Sequence, residues 1–86
     1  MYKINEEKVM YSPVEEEGVI YTLENNRYDH ANPTMNSILM YIQEEKSEDD
    51  IVAALMATYE VDEATCRQEV EKSIASLLDS GIIIKI

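Results

Sequence analysis

Few residues in this chain have side chains capable of chemistry. The one histidine, His30, follows Asp29 in the run Arg27-Tyr28-Asp29-His30-Ala31, and the one cysteine is Cys66. A thiol, an imidazole and a carboxylate would make a nucleophilic centre: the imidazole takes the thiol proton and the carboxylate holds the ring. That chemistry needs all three groups to converge in one pocket. Here His30 falls in a strand-like run, while Cys66 falls in the first turns of a helix-like one. A helix N-terminus can lower a thiol pKa, but Cys66 reads more simply as a small, half-buried helix residue.

Other chemistries find less support. A zinc site draws about four His, Cys or carboxylate ligands at set spacings, and one His with one Cys does not supply them. The acidic runs Glu15-Glu16-Glu17 and Glu48-Asp49-Asp50 lack the alternating carboxylates and internal glycine of a calcium loop. They read as a solvated loop and the first turn of a helix. Gly18 and Gly81 stand alone, so no glycine-rich loop is available to cradle a phosphate. The sequence therefore assigns no catalytic residue, no cofactor and no metal, and the chain reads as a non-enzyme.

The bulk numbers describe one folded domain, residues 1–86. At 86 residues with 45% apolar content there is enough chain for one modest core and too little for two. Seven basic residues against 18 acidic ones leave a net charge of −11, the wrong sign for gripping phosphates. An acidic surface favours basic peptides and proteins and disfavours anionic membranes. One cysteine makes no internal disulfide. The opening MYKINEEKVMY has no apolar signal core, and no run approaches a membrane span, so a cytoplasmic protein is expected.

The elements that must position these residues change type along the chain. Val9-Met10-Tyr11-Ser12 reads as a strand closed by Pro13, followed by a loop from Glu15 to Gly18. Val19–Leu23 alternates with period two, Val19, Tyr21 and Leu23 facing one way and Ile20 and Thr22 the other. Asn25-Asn26 suits a hairpin turn, which makes residues 27–31 the returning strand. Asn32-Pro33 is an N-cap followed by proline at the first helical position. Met35, Ile38, Leu39 and Ile42 then form a helical stripe.

A second helix is capped at Ser47, with its acids in the first turn and Ile51, Ala54, Leu55 and Tyr59 inward. A third starts at Asp62, buries Val70, Ile74, Leu77 and Leu78, and stops at Gly81. Ile82–Ile86 is expected to be a short terminal strand or a docked apolar tail. The methionine on the first stripe, Met35, reads as core filler, and most of the six tyrosines as core-edge residues with a wet hydroxyl.

Three strands followed by three helices make an α+β domain of winged helix-turn-helix-like layout, a three-stranded antiparallel sheet with helices packed on it. That scaffold often reads DNA. Its recognition helix would be the third, which carries Arg67 and Lys72 against Asp62, Glu63, Glu69, Glu71 and Asp79. A helix of that sign is repelled by the major groove, so any partner is a protein or peptide.

The stretches LENNRYDHANPTMNSILMYI and EDDIVAALMATYEVDEATCRQEVEKSIASLLDSGII resemble the PqqD-like family, the recognition elements for precursor peptides of ribosomal natural products. The resemblance covers residues 18–84. It rests on Ala31-Asn32-Pro33-Thr34-Met35 opening the first helix, on Ile51, Leu55, Tyr59 and Val61, and on Glu69-Val70, Ile74, Leu77, Gly81 and Ile82. The sequence departs from the family pattern at Met35, where glycine is usual, at Glu69 in place of aspartate, and at Ser73 in place of phenylalanine.

The resemblance implies a non-catalytic adaptor that binds the leader segment of a precursor peptide and presents it to modifying enzymes. The leader would add as a strand to the edge of residues 27–31, in a cleft beside the third helix. Arg27, Tyr28, Asp29, His30 and Ala31 would form the strand side, and Cys66, Arg67, Val70, Glu71 and Ile74 the helix side. Val70 and Ile74 read equally well as plain core residues. Acidic Glu63, Glu69 and Glu71 would suit a leader carrying Lys or Arg.

The hairpin followed by Asn-Pro-Thr points to the lasso-peptide branch, whose partners would be a leader peptidase and an ATP-dependent cyclase. Two alternatives stand beside it. One is a partner for a radical S-adenosylmethionine enzyme in quinone-cofactor biosynthesis, and the other is an acidic winged-helix regulator that binds a protein.

Overall fold

The computed structural model describes residues 1–86 as five strands and three helices. β1 (Tyr2–Ile4) is followed by β2 (Val9–Val14), β3 (Glu17–Thr22) and β4 (Arg27–Ala31). The helices are α1 (Pro33–Gln43), α2 (Glu48–Thr58) and α3 (Glu63–Ser80), and β5 (Ile83–Lys85) ends the chain. β2, β3 and β4 form an antiparallel sheet in that order, while β1 and β5 pair in a second, two-stranded one. The expected three-stranded sheet followed by three helices is present, and β1 and its pairing with β5 are added to it.

The helix boundaries follow their caps. Asn32 accepts a hydrogen bond from the Met35 N–H at 2.8 Å and Pro33 opens α1. At α2, Ser47 and Asp50 form a reciprocal capping box. Asp62 accepts from the Thr65 N–H at 2.7 Å, and that bond holds the Asp62 carboxyl below its ordinary pKa. Gly81 terminates α3 with φ at +80°, its N–H donating back to Leu77 and Leu78.

An alanine at Gly81 would have to hold that left-handed conformation, so Gly81→Ala is expected to lose about 1–2 kcal/mol of stability. The new methyl would also approach Lys8 Nζ at 2.8 Å, but that is the end of a flexible chain. Urea unfolding followed by circular dichroism should show a lower midpoint with an unchanged slope.

Three local expectations are corrected. β2 does not stop at Pro13 but runs to Val14, because β2 is an edge strand and a missing N–H there costs no ladder bond. The turn is therefore only Glu15-Glu16, with Glu15 at φ 58°, and β3 begins at Glu17 and ends at Thr22, before Leu23. In α2 the buried residues are Ile51, Val52 and Leu55, and Tyr59 is exposed. The helix ends at Thr58 and Tyr59 has extended backbone, which takes its ring off the helical stripe.

The core lies between the sheets and the helices. Val9 and Ile20 of the larger sheet and Ile4 and Ile83 of the smaller one join Ile38, Leu39 and Ile42 of α1, Ile51 and Leu55 of α2, and Val70, Ile74 and Leu77 of α3. Met35, Tyr11 and Leu78 are partly buried against it. The C-terminal tail is thus both a strand and a docked apolar segment. No helix is long and apolar enough to cross a membrane.

Candidate functional site

β4 is built from the turn before it and the cap after it. Asn26 takes φ 54°, the left-handed conformation that asparagine tolerates, and its side-chain oxygen accepts a hydrogen bond from the Tyr21 hydroxyl. At the other end Ala31 is buried, 2% exposed, and Asn32 swings the chain into α1. The strand is therefore held at both ends.

Along its length β4 pairs on one side only, with Tyr21 opposite Tyr28, Ile20 opposite Asp29 and Val19 opposite His30. Its other side carries no strand. Alternate residues of that free side present unpaired backbone N–H and C=O groups. The sheet's other edge, β2, contains Pro13, a residue that blunts strand pairing. β4 contains neither Pro nor Gly nor Lys.

The side chains of β4 alternate. Tyr28 and His30 are exposed, and Tyr28 lies on the same sheet face as Tyr21, their rings 4.7 Å apart and tilted by 42°. On the other face Asp29 is half-buried and Ala31 fully buried. Arg27 shares that face, and its Nε lies 3.4 Å from Asp29 Oδ1.

This geometry does not assemble Asp29, His30 and Cys66 into a nucleophilic centre. Adjacent residues of a strand point to opposite faces, so Asp29 does not orient the His30 ring. Cys66 is not half-buried but only 4% exposed, and its Sγ donates to the Val52 carbonyl at 3.7 Å. No three His, Cys, Asp or Glu groups are arranged to hold a metal. A surface depression between the β1–β2 turn and the end of α1 is lined by Glu6, Glu7, Glu44 and Glu45 with Lys3, and includes no residue of β4 or α3.

The expected helix side divides in two. Cys66, Val70 and Ile74 follow one another at one-turn spacing on the inward stripe of α3, and their side chains fill the core at 4%, 0% and 3% exposure. Arg67 and Glu71 sit on the next stripe, at the surface. Arg67 Nη1 lies 2.9 Å from Asp49 Oδ1 and 3.9 Å from Glu48 Oε2, so it ties α3 to the start of α2. The Asp49 hydrogen bond, helped by the nearby acids, raises the guanidinium pKa further. The five strand residues form one continuous edge, whereas of the helix residues only Arg67 and Glu71 reach solvent. Ser73, at the usual phenylalanine position, is half-buried.

Sequence reasoning missed a polar contact beneath the sheet. Asn36 of α1 is 2% exposed, and the Tyr11 hydroxyl donates to its side-chain oxygen and to its carbonyl, the latter at 3.1 Å. Burial pushes the Tyr11 pKa up. Gly18 of β3 passes directly over this pair. The signal was the spacing of Asn36, Leu39 and Ile42, which sets the asparagine on the buried stripe beside Met35.

The family model for coenzyme PQQ synthesis protein D matches residues 17–83. No curated protein matches the chain in sequence. Two solved structures share its fold. One, described as TbiB1 in complex with the TbiA(beta) leader peptide, superposes with a TM-score of 0.87 at 23% identity, covering 98% of this chain and 96% of that one. The other, lasso peptide synthetase B1 complexed with the leader peptide, gives 0.86 at 17% identity and covers 98% of both chains. At these identities the likeness establishes the α+β fold.

Proposed function

The chain belongs to the PqqD family, and from that premise we propose that it is a non-catalytic adaptor for the leader segment of a ribosomally made precursor peptide. The leader adds as a further strand to the free edge of β4, Arg27–Ala31, beside α3. The observation that carries this reading is that edge: five residues tied down at both ends, paired on one side and unpaired on the other. Strand addition supplies backbone hydrogen bonds, and side chains flanking the edge supply selectivity.

Arg67 and Glu71 flank the leader from α3, while Cys66, Val70 and Ile74 act from beneath by fixing where the helix lies. The acidic surface, net −11 over the chain, attracts a leader bearing Lys or Arg and makes binding weaken with salt. The two structures of the same fold, each described with a leader peptide bound, support lasso-peptide assembly as the setting. The enzymes served are then a leader peptidase and a cyclase. The family's description as a coenzyme PQQ synthesis protein favours a second client by the same edge, a radical enzyme acting on a quinone-cofactor precursor.

The test is titration of the isotope-labelled chain with synthetic leaders of ribosomal precursor peptides from the genome that encodes it. Saturable binding is expected, with amide shifts concentrated at residues 27–31 and around Arg67 and Glu71. No saturable binding, or shifts confined to other elements, overturns the reading. A lasso-type leader and a quinone-precursor leader run in parallel separate the two clients.

A further inference from the structure

The face of the larger sheet turned away from the helices carries a row of side chains that leads to the β4 edge. Met10 pairs with Tyr21, and Tyr21 pairs with Tyr28, so one residue from each strand lies in line across the sheet. Met10 is 57% exposed, Tyr21 is half-buried and Tyr28 is 69% exposed, its ring against that of Tyr21. Tyr21, flanked on both sides, is the least exposed of the three, and the row ends at its most exposed member, the Tyr28 ring, which has a neighbour on one side only.

Flanking rows do not share this character. Ser12, Val19 and His30 form the next row toward α1, two of the three polar, and the neighbouring turn holds Glu24, Asn25 and Asn26.

We propose that Tyr28 is a specificity-determining residue, selecting an aromatic or β-branched apolar side chain on the outward face of the added leader strand. The proposal rests on the strand-addition reading above and deepens it. Whichever leader residue comes to lie beside Tyr28 on this face meets a ring at cross-strand distance. Its side chain then becomes the fourth member of the Met10–Tyr21–Tyr28 row and covers the open flank of Tyr28.

Aromatic pairs and aromatic–β-branched pairs are the favoured cross-strand partners on a sheet face, and a carboxylate gains nothing against the negative face of the ring. Because side chains alternate, this residue is one that the α3 side of the site does not touch. The leader is read on both faces, the groove side and the open side.

The experiment is a serine scan of the synthetic leader against the wild-type chain and against Tyr28→Thr. Threonine keeps β propensity and removes the ring, and Tyr28 is exposed enough for the fold to survive the change. Against the wild-type chain, one outward-facing apolar position should lose roughly two- to tenfold in affinity when changed to serine. Against Tyr28→Thr the same serine peptide should bind as well as the parent, while groove-facing positions stay sensitive. Tyr28→Phe should bind as the wild type does.

If the leader binds saturably but every sensitive position responds equally in wild type and Tyr28→Thr, the proposal fails while strand addition stands. If the sensitive outward position is charged or polar, the proposal also fails. If no leader binds, strand addition itself fails and this selectivity falls with it.

Discussion

Gly18→Val is expected to destabilise the fold by about 3 kcal/mol or more, and Gly18→Ala by about 1–3 kcal/mol, the usual range for forcing atoms into a packed interior. The cause is steric and not conformational, since the only glycine with positive φ is Gly81. A β-carbon at Gly18 would stand 2.5 Å from Asn36 Oδ1, 2.8 Å from Tyr11 Cε1 and 3.3 Å from Asn36 Cγ. Neither neighbour yields cheaply. The Tyr11 hydroxyl is bonded to both the side chain and the carbonyl of Asn36. Rotating Asn36 away would strand a buried polar group, at a cost of about 1–3 kcal/mol.

The other escape is for β3 to lift off α1. Gly18 pairs with Pro13 on one side and Ala31 on the other, so lifting it carries the end of β4 along. A double-mutant cycle tests this account. Asn36→Ala removes the obstructing amide, so Gly18→Ala in that background should cost less than in the wild type, by about 1 kcal/mol. Equal costs in both backgrounds, measured by urea unfolding, would show that Gly18 is required for another reason.

Legibility in the sequence followed the range of the interactions concerned. Asn32-Pro33, Ser47 with Asp50, Asp62 and Gly81 mark helix ends through bonds spanning three or four residues, and each is where the sequence predicts it. β4 was readable because Asn26 and Asn32 bracket it. β1 was not, because three residues carry no period of their own and its partner β5 lies at the far end of the chain.

Tyr59 and Val52 show a different limit. A stripe begun at Ile51 and Leu55 extends equally well to either flank, and the end of α2 at Thr58 decides which. The same ambiguity explains Cys66, Val70 and Ile74. Helical spacing says that they share a face, but only packing shows that the core fills it. Asn36 was hidden because a polar residue on an apolar stripe makes sense only once Tyr11 is seen to reach it.

Tyr28→Pro and Asp29→Pro should have opposite effects, and together they test whether the backbone of β4 is the working part of the site. In an antiparallel pair the N–H groups of successive residues point alternately to the neighbouring strand and away from it. One of these two residues therefore donates to β3 and the other faces the free edge. Proline at the first removes a ladder bond and sets a ring against β3, at a cost of about 3 kcal/mol. That variant should be visibly destabilised.

Proline at the other position is tolerated, as it is at sheet edges generally. Its ring, however, stands where the leader's backbone must approach, and one donor is gone. That variant should keep its unfolding midpoint within about 0.5 kcal/mol of wild type, the usual effect of a neutral surface change. Its leader affinity should fall at least tenfold, the equivalent of about 1.4 kcal/mol.

A side-chain explanation of the same loss is testable within the pair. If Tyr28→Pro is the stable variant, Tyr28→Thr separates the lost ring from the lost N–H, and the proline should bind several-fold more weakly than the threonine. If Asp29→Pro is the stable one, Asp29→Asn plays that part, since it removes the charge that faces Arg27 at 3.4 Å and leaves the backbone whole. A stable proline variant that still binds the leader at wild-type strength would mean that the leader does not pair with β4. The adaptor would then have to hold the leader by side chains alone, elsewhere on its surface.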